Sequence, residues 1–272
     1  QGVSSAASDV YKRQILYRYK RGFADMTIDW TKAKLAANSA KFAYGDEKTG
    51  KKFFTDAGYN EYKYIDKDGA QCHLAANATD AIFAFRGTEP KQITDLLADL
   101  NTVPKKHGPG FVHSGFRGEA RKLWDDVEKF AKKHKGKRFL VCGHSLGAAM
   151  ATYSAQELHW AGHSDIELYT FGSPRLGSPD YVAAMDVPHW RFVNNNDGVT
   201  HVPPAAIGFK HHGQLMYINH YGNIRPLSKW QRLKDMARGH WAALKKFQLF
   251  DWMYDHSMDG YASKVSKASD GQ

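Results

Sequence analysis

Cysteine is almost missing from this chain. Cys72 and Cys142 are the only two in 272 residues, which excludes a disulfide framework and a thiolate-rich metal site. Cys142 lies in an apolar run and reads as a small buried residue. No apolar stretch approaches the ~18 residues that a membrane-crossing helix needs. Internal repeats are absent too, and no clustered ligand spacing calls for a metal ion or other cofactor. No nucleic-acid-binding module accompanies the net charge of +10, so nucleic acid is not an expected partner. That charge reads as a soluble basic enzyme with some attraction to anionic surfaces. Residues 1 to about 14 lack the apolar centre and cleavage site of a signal peptide. They read as a non-native tail resembling translated adapter DNA, which leaves a secreted and a cytoplasmic address both open. Asn77-Ala78-Thr79 is a formal glycosylation sequon, relevant only after eukaryotic secretion.

What is present is a folded α/β pattern. Aromatics at 13% and charged residues at 24% do not fit a disordered chain. Residues 29–44 carry Trp30, Ala33, Ala37, Ala40 and Tyr44 on one helical face, with Gly45 as the stop. Residues 59–75 read as a hairpin turned at Asp68-Gly69. Residues 81–85 read as a strand running into Arg86-Gly87-Thr88. A helix capped by Ser114 follows, with Phe116, Ala120, Leu123, Val127 and Phe130 as its core stripe. Further strands are expected at 139–142, 166–171 and 190–193, with a helix between the first two. Strands separated by helices predict a mainly parallel central sheet with helices on both faces. The expected division is a tail at 1–27, one domain at 28–262 and a polar tail at 263–272.

Gly143-His144-Ser145-Leu146-Gly147 stands between the strand at 139–142 and a helix, the setting of a nucleophile elbow. By chance alone a chain of this composition carries about 0.1 such pentapeptides, so the pattern needs partners. A serine hydroxyl requires a histidine base and an acid that orients it. Asp197 directly follows the strand at 190–193, where such an acid is expected, whereas Asp165 and Asp180 are less well placed. There are 14 histidines. His201 is too close to Asp197 to reach Ser145, which leaves His211, His212, His220, His240 and His256. Spacing leaves His256 and His212 nearly even.

The chain resembles the fungal-type (class 3) lipase family over roughly residues 28–262. The resemblance is carried, in order, by Phe85-Arg86-Gly87-Thr88, Ala98-Asp99-Leu100, Val112-His113-Ser114-Gly115-Phe116, the elbow itself and Thr170-Phe171-Gly172-Ser173-Pro174-Arg175. Asn196-Asp197-Gly198-Val199, Val202-Pro203-Pro204 and Asp255-His256-Ser257 with Tyr261 complete it. Gly198 departs from the family, many members of which have proline after the acid. The resemblance implies an α/β-hydrolase fold with a short helical lid. It implies Ser145 as nucleophile, Asp197 as orienting acid and His256 as base, with His212 a second histidine outside the triad. Thr88 and the Leu146 N–H are the expected oxyanion donors.

Ile93, Leu96, Leu97 and Leu100 fall on one side of the lid segment and are expected to meet an acyl ester or lipid substrate. Residues 230–253 mix Trp230, Trp241 and Trp252 with Arg232, Lys234 and Arg238, which suits either a packed helix with a basic face or transient contact with a lipid interface. The resulting expectation is a serine carboxylic ester hydrolase, foremost a triacylglycerol lipase. Feruloyl, phospholipid or polyester bonds and acyl transfer are the alternatives for the same chemistry. A non-catalytic scaffold fits less well, since Ser145, Asp197, His256 and Thr88 are all intact.

Overall fold

Along neighbouring strands, Phe83, Phe85, Phe139 and Val141 join one hydrophobic layer while Ile82, Ala84, Leu140 and Cys142 join another. Side chains alternate across a strand, so this pattern buries both faces of a sheet. The computed structural model describes residues 27–88, 103–224, 230–231, 234–235 and 255–271. In order these form α1 (Trp30–Phe42), α2 (Glu47–Asp56), β1 (Glu61–Lys67), β2 (Ala70–Ala76), β3 (Asp80–Phe85), β4 (Pro104–His107), β5 (Gly110–His113) and α3 (Ser114–Lys133). β6 (Arg138–His144), α4 (Leu146–Trp160), β7 (Ile166–Phe171), α5 (Pro179–Ala183) and β8 (His189–Asn194) come next. Two single turns of 3-10 helix, β9 (Gln214–Ile218) and α6 (Met258–Asp270) end the described chain.

The main sheet has seven strands in the order β1-β2-β3-β6-β7-β8-β9. β1, β2 and β3 pair antiparallel, and from β3 onward every pair is parallel. α3 and α4 supply Phe116, Leu123, Met150 and Tyr153 to the layer on one face. α1 and α6 supply Ala33, Ala37, Tyr261 and Val265 to the layer on the other. β4 and β5 form a separate two-stranded hairpin. The parallel register sets Phe85 beside Gly143, His144 beside Phe171 and Phe171 beside Phe192. The carboxyl ends of four strands therefore finish level, and the loops that follow them converge, as expected of a ligand site in an open α/β sheet.

Two local expectations need correction. The residues at 263–272, read as a polar tail, mostly belong to α6, whose Tyr261, Ala262 and Val265 are buried. Serines and lysines dominate that stretch and mask the helical spacing of its apolar side chains. The cap of α3 is not Ser114, which is its first helical residue. His113 takes the role, its Nδ1 accepting the Phe116 N–H at 3.3 Å. The lid segment with Ile93, Leu96, Leu97 and Leu100 lies outside the described residues, as does most of 230–253.

Candidate active site

Ser145 is the single residue between the end of β6 and the start of α4. Its backbone is held at φ 57° and ψ −127°, a conformation that costs on the order of 1–3 kcal/mol for a non-glycine residue. The turn exists because its neighbours have no side chains. A Cβ on Gly143 would stand 2.3 Å from the Gly147 carbonyl oxygen, and one on Gly147 would stand 2.3 Å from that of Phe85. Strand and helix thus meet at backbone contact, with Ser145 pushed out of the turn. Its N–H donates to the Phe171 carbonyl at 3.0 Å, which ties the elbow to the end of β7.

Asp197 stands in the loop after β8 and is fully buried. Its carboxylate accepts from His256 Nδ1 at 2.8 Å to each oxygen. With Nδ1 protonated toward the carboxylate, Nε2 carries the lone pair that a base requires. That Nε2 is buried and has no hydrogen-bond partner among the described residues. A Cβ on Gly172, the residue after β7, would lie 2.6 Å from Asp197 Oδ2 and 2.9 Å from the His256 ring. The loops that follow β6, β7 and β8 therefore meet around one imidazole.

Further groups fix this pair. Tyr261, on α6, donates its hydroxyl to Asp197 Oδ2 at 2.6 Å and accepts the Asn194 N–H at 2.9 Å. Burial, with the Asp197 charge next, pushes the Tyr261 phenol well above its ordinary range and keeps it a donor. The Val199 N–H donates to Asp197 Oδ1 at 3.0 Å. Asp255 stitches the loops that carry acid and base. Its backbone carbonyl accepts from Asn194 Nδ2 at 2.8 Å, and its Oδ2 accepts the Asn196 N–H at 3.1 Å. His144, beside the serine, reaches the His256 backbone carbonyl through Nε2 at 2.7 Å and Tyr44 OH through Nδ1 at 2.7 Å. Burial first, and the nearby His256 second, hold His144 well below the usual histidine pKa, so it remains neutral.

The other histidines are placed elsewhere. His212 Nδ1 meets His189 Nδ1 at 3.1 Å in a buried pair, and His211 Nε2 meets the Thr200 carbonyl at 2.8 Å. Thr88 and Leu146 line one pocket of about 210 Å³, together with Gly87, Arg86, Gln71 and Glu119. As the first residue of α4, Leu146 has an N–H with no carbonyl one turn back to accept it. A Cβ on Gly87 would lie 3.2 Å from Ser145 Cβ, so this pocket borders the serine. The sequence carries no signal for the roles of the Tyr261 hydroxyl, the Asp255 stitch or the His144 link to Tyr44. The run Asn194-Asn195-Asn196 before Asp197 was the one visible hint, since such residues serve loops by side-chain bonding.

Residues 82–207 match the family model described as lipase (class 3). The chain is 36% identical to a lipase of Rhizomucor miehei over 149 residues, which is 49% of this chain and 40% of that protein. It is 34% identical over 120 residues to a secreted mono- and diacylglycerol lipase of Malassezia globosa, covering 41% of this chain and 39% of that protein. Among solved structures, it is similar to a triacylglycerol lipase described as having a serine-protease triad at its catalytic centre. That likeness has a TM-score of 0.54 and 27% identity, and it covers 70% of this chain and 78% of the other. The chain spans well under half the length of the curated relatives it matches. The fold is that of the α/β-hydrolases.

Proposed function

Through residues 82–207 this chain belongs to the class 3 lipase family, and from that premise we propose that it hydrolyses carboxylic esters of acylglycerols through an acyl-enzyme on Ser145. The observation that carries the reading is the buried pairing of His256 Nδ1 with Asp197 at 2.8 Å, beside a serine held on a strained turn. His256 Nε2 takes the Ser145 hydroxyl proton as Oγ attacks the ester carbonyl. Asp197 stabilises the imidazolium that forms and is not itself protonated. Charge then develops on the former carbonyl oxygen. The Leu146 N–H, at the positive end of α4, and the N–H and hydroxyl of Thr88 stabilise it. Collapse of the tetrahedral species expels the alcohol, which receives its proton from His256. Water, deprotonated by the same imidazole, then releases the acid and regenerates Ser145.

Each part has an expected weight. Loss of one oxyanion donor lowers kcat by about 10²–10³-fold, and loss of the nucleophile removes the covalent route altogether. Ser145→Ala should abolish turnover of p-nitrophenyl esters while leaving the circular dichroism spectrum and thermal midpoint unchanged. Retained turnover in the folded variant would overturn the assignment. Rates on triglycerides of increasing chain length, measured across their solubility limits, distinguish a lipase from an esterase of soluble substrates. A rise when an interface forms supports the acylglycerol reading, and a flat profile points to the other ester classes.

A further inference from the structure

The contacts of His144 fix where its proton sits. Its Nε2 stands 2.7 Å from the His256 backbone carbonyl. A carbonyl can only accept, so Nε2 carries the proton. Burial keeps the ring neutral, which leaves Nδ1 as a lone pair. The Tyr44 hydroxyl, 2.7 Å from that nitrogen, is therefore the donor. Hydrogen bonds thus run in one direction, from Tyr44 through the imidazole to the backbone of His256. Tyr44 comes from a remote part of the sequence, directly after Ala43, the cap of α1. Its hydroxyl also packs on the turn that leads to Thr88. A Cβ on Gly87 would lie 2.4 Å from that hydroxyl and 2.4 Å from the His144 carbonyl. The Arg86 guanidinium lies over the tyrosine ring, 5.7 Å from its centroid. One residue therefore meets the oxyanion turn, the elbow and, through His144, the loop of His256.

We infer that Tyr44 and His144 are positioning residues, in which Tyr44 fixes the Nε2–H tautomer of His144 and that N–H holds the His256 backbone with its imidazole in reach of Ser145. The inference rests on Ser145 as nucleophile and His256 as base, and it adds two residues that act through the base. The neutral state of His144 belongs to the same role. Its ring centroid lies 4.5 Å from that of His256, and His256 becomes positive each time it takes a proton. A second cation at that distance would oppose the charge. A hydroxyl that donates to Nδ1 favours the neutral ring.

Kinetics on soluble p-nitrophenyl butyrate separate this role from a merely structural one. Tyr44→Phe should lower kcat about tenfold with KM within about twofold, the pattern of a group that sets geometry at the reacting atoms. In a His144→Gln background the same change should cost less than about twofold, because an amide nitrogen donates to the His256 carbonyl whatever Tyr44 does. Equal losses in the two backgrounds overturn the inference and make the tyrosine a packing residue. Nitrogen NMR of the unsubstituted protein reads the tautomer directly and needs no variant to fold. A proton on Nε2 of His144 is the expected result, and a proton on Nδ1 overturns the inference. Ester turnover that Tyr44→Phe leaves untouched also overturns it while keeping Ser145, whereas a chain that hydrolyses no ester fails at Ser145 itself.

Discussion

Asp197 accepts hydrogen bonds from three directions, namely His256 Nδ1 at 2.8 Å, Tyr261 OH at 2.6 Å and the Val199 N–H at 3.0 Å. A buried carboxylate without such donors would be costly, and each charge-assisted bond also narrows where its oxygens can lie. The Tyr261 hydroxyl does both jobs, since it also accepts the Asn194 N–H at the end of β8. Its removal takes the acceptor from the Asn194 N–H and leaves Asp197 Oδ2 with His256 Nδ1 alone among the described residues. Tyr261→Phe should therefore lower stability by about 1–3 kcal/mol, the range for a buried polar group left unsatisfied. It should also lower kcat about tenfold with little change in KM, because the tyrosine positions the acid and does not meet substrate. Denaturant unfolding together with steady-state kinetics on a soluble ester separates the two effects. A loss of stability with kcat unchanged would reduce Tyr261 to a structural residue.

At the scale of elements, what could be read from sequence was whatever is local. The elbow is legible because one strand, one turn and one helix carry its sequence pattern within neighbouring residues from Phe139 to Tyr153, although the Phe85 and Phe171 carbonyls that pack against and anchor it lie elsewhere. The hairpin at Asp68-Gly69 and the strand before Asp197 were legible for the same reason. Choosing His256 over His212 from spacing was not possible, since the bond to Asp197 joins loops that only the folded sheet brings together. The Asp255 stitch to Asn194 and Asn196 likewise joins separate loops. α6 is masked in the sequence for another reason. Met258, Tyr261, Ala262 and Val265 recur at helical spacing and are buried, but a reading by composition sees only the serines and lysines between them. Small residues on α1, Ala33, Ala36, Ala37 and Ala40, are buried with them in the same layer, and Lys264 Nζ reaches Asn194 Oδ1 at 2.6 Å. Ending the chain after Ala262 should consequently cost about 3 kcal/mol, mainly through the lost burial of Val265 and its neighbours. That corresponds to a fall of roughly 10 °C in Tm for a domain of this size. Removal of a true polar tail would leave Tm within a degree or two, so calorimetry on the truncated chain decides the matter.

Over the whole molecule, the distribution of buried histidines sets how the fold meets acid. Burial pulls the pKa of His73, His113 and His212 down to about 4, from an unfolded value near 6.5. His144, His189 and His211 are lowered by the same cause. Between those two values the unfolded chain binds protons that the folded chain refuses, so stability must rise with pH across that window. The contribution is complete above about pH 6.5 and is lost as the pH falls toward 4. His73, His113 and His212 together account for up to about 4 kcal/mol per pH unit near the middle of the window. Paired carboxylates act lower down. The pKa of Asp126, held below its ordinary value by hydrogen bonds from Lys63 and Lys67, means that its stabilisation fades only as the pH falls below about 4. Urea midpoints at pH 7.5, 6 and 5 should thus drop steeply and early, and His212→Gln should make that drop shallower by about 1 kcal/mol per pH unit. Equal slopes in the two proteins would remove His212 from the account. The same titrations on Ser145→Ala separate fold from chemistry. Loss of ester turnover on acidification has two sources, a change in the chemistry at the site and unfolding of the sheet that holds it. Only the second persists in a protein that has no nucleophile to activate.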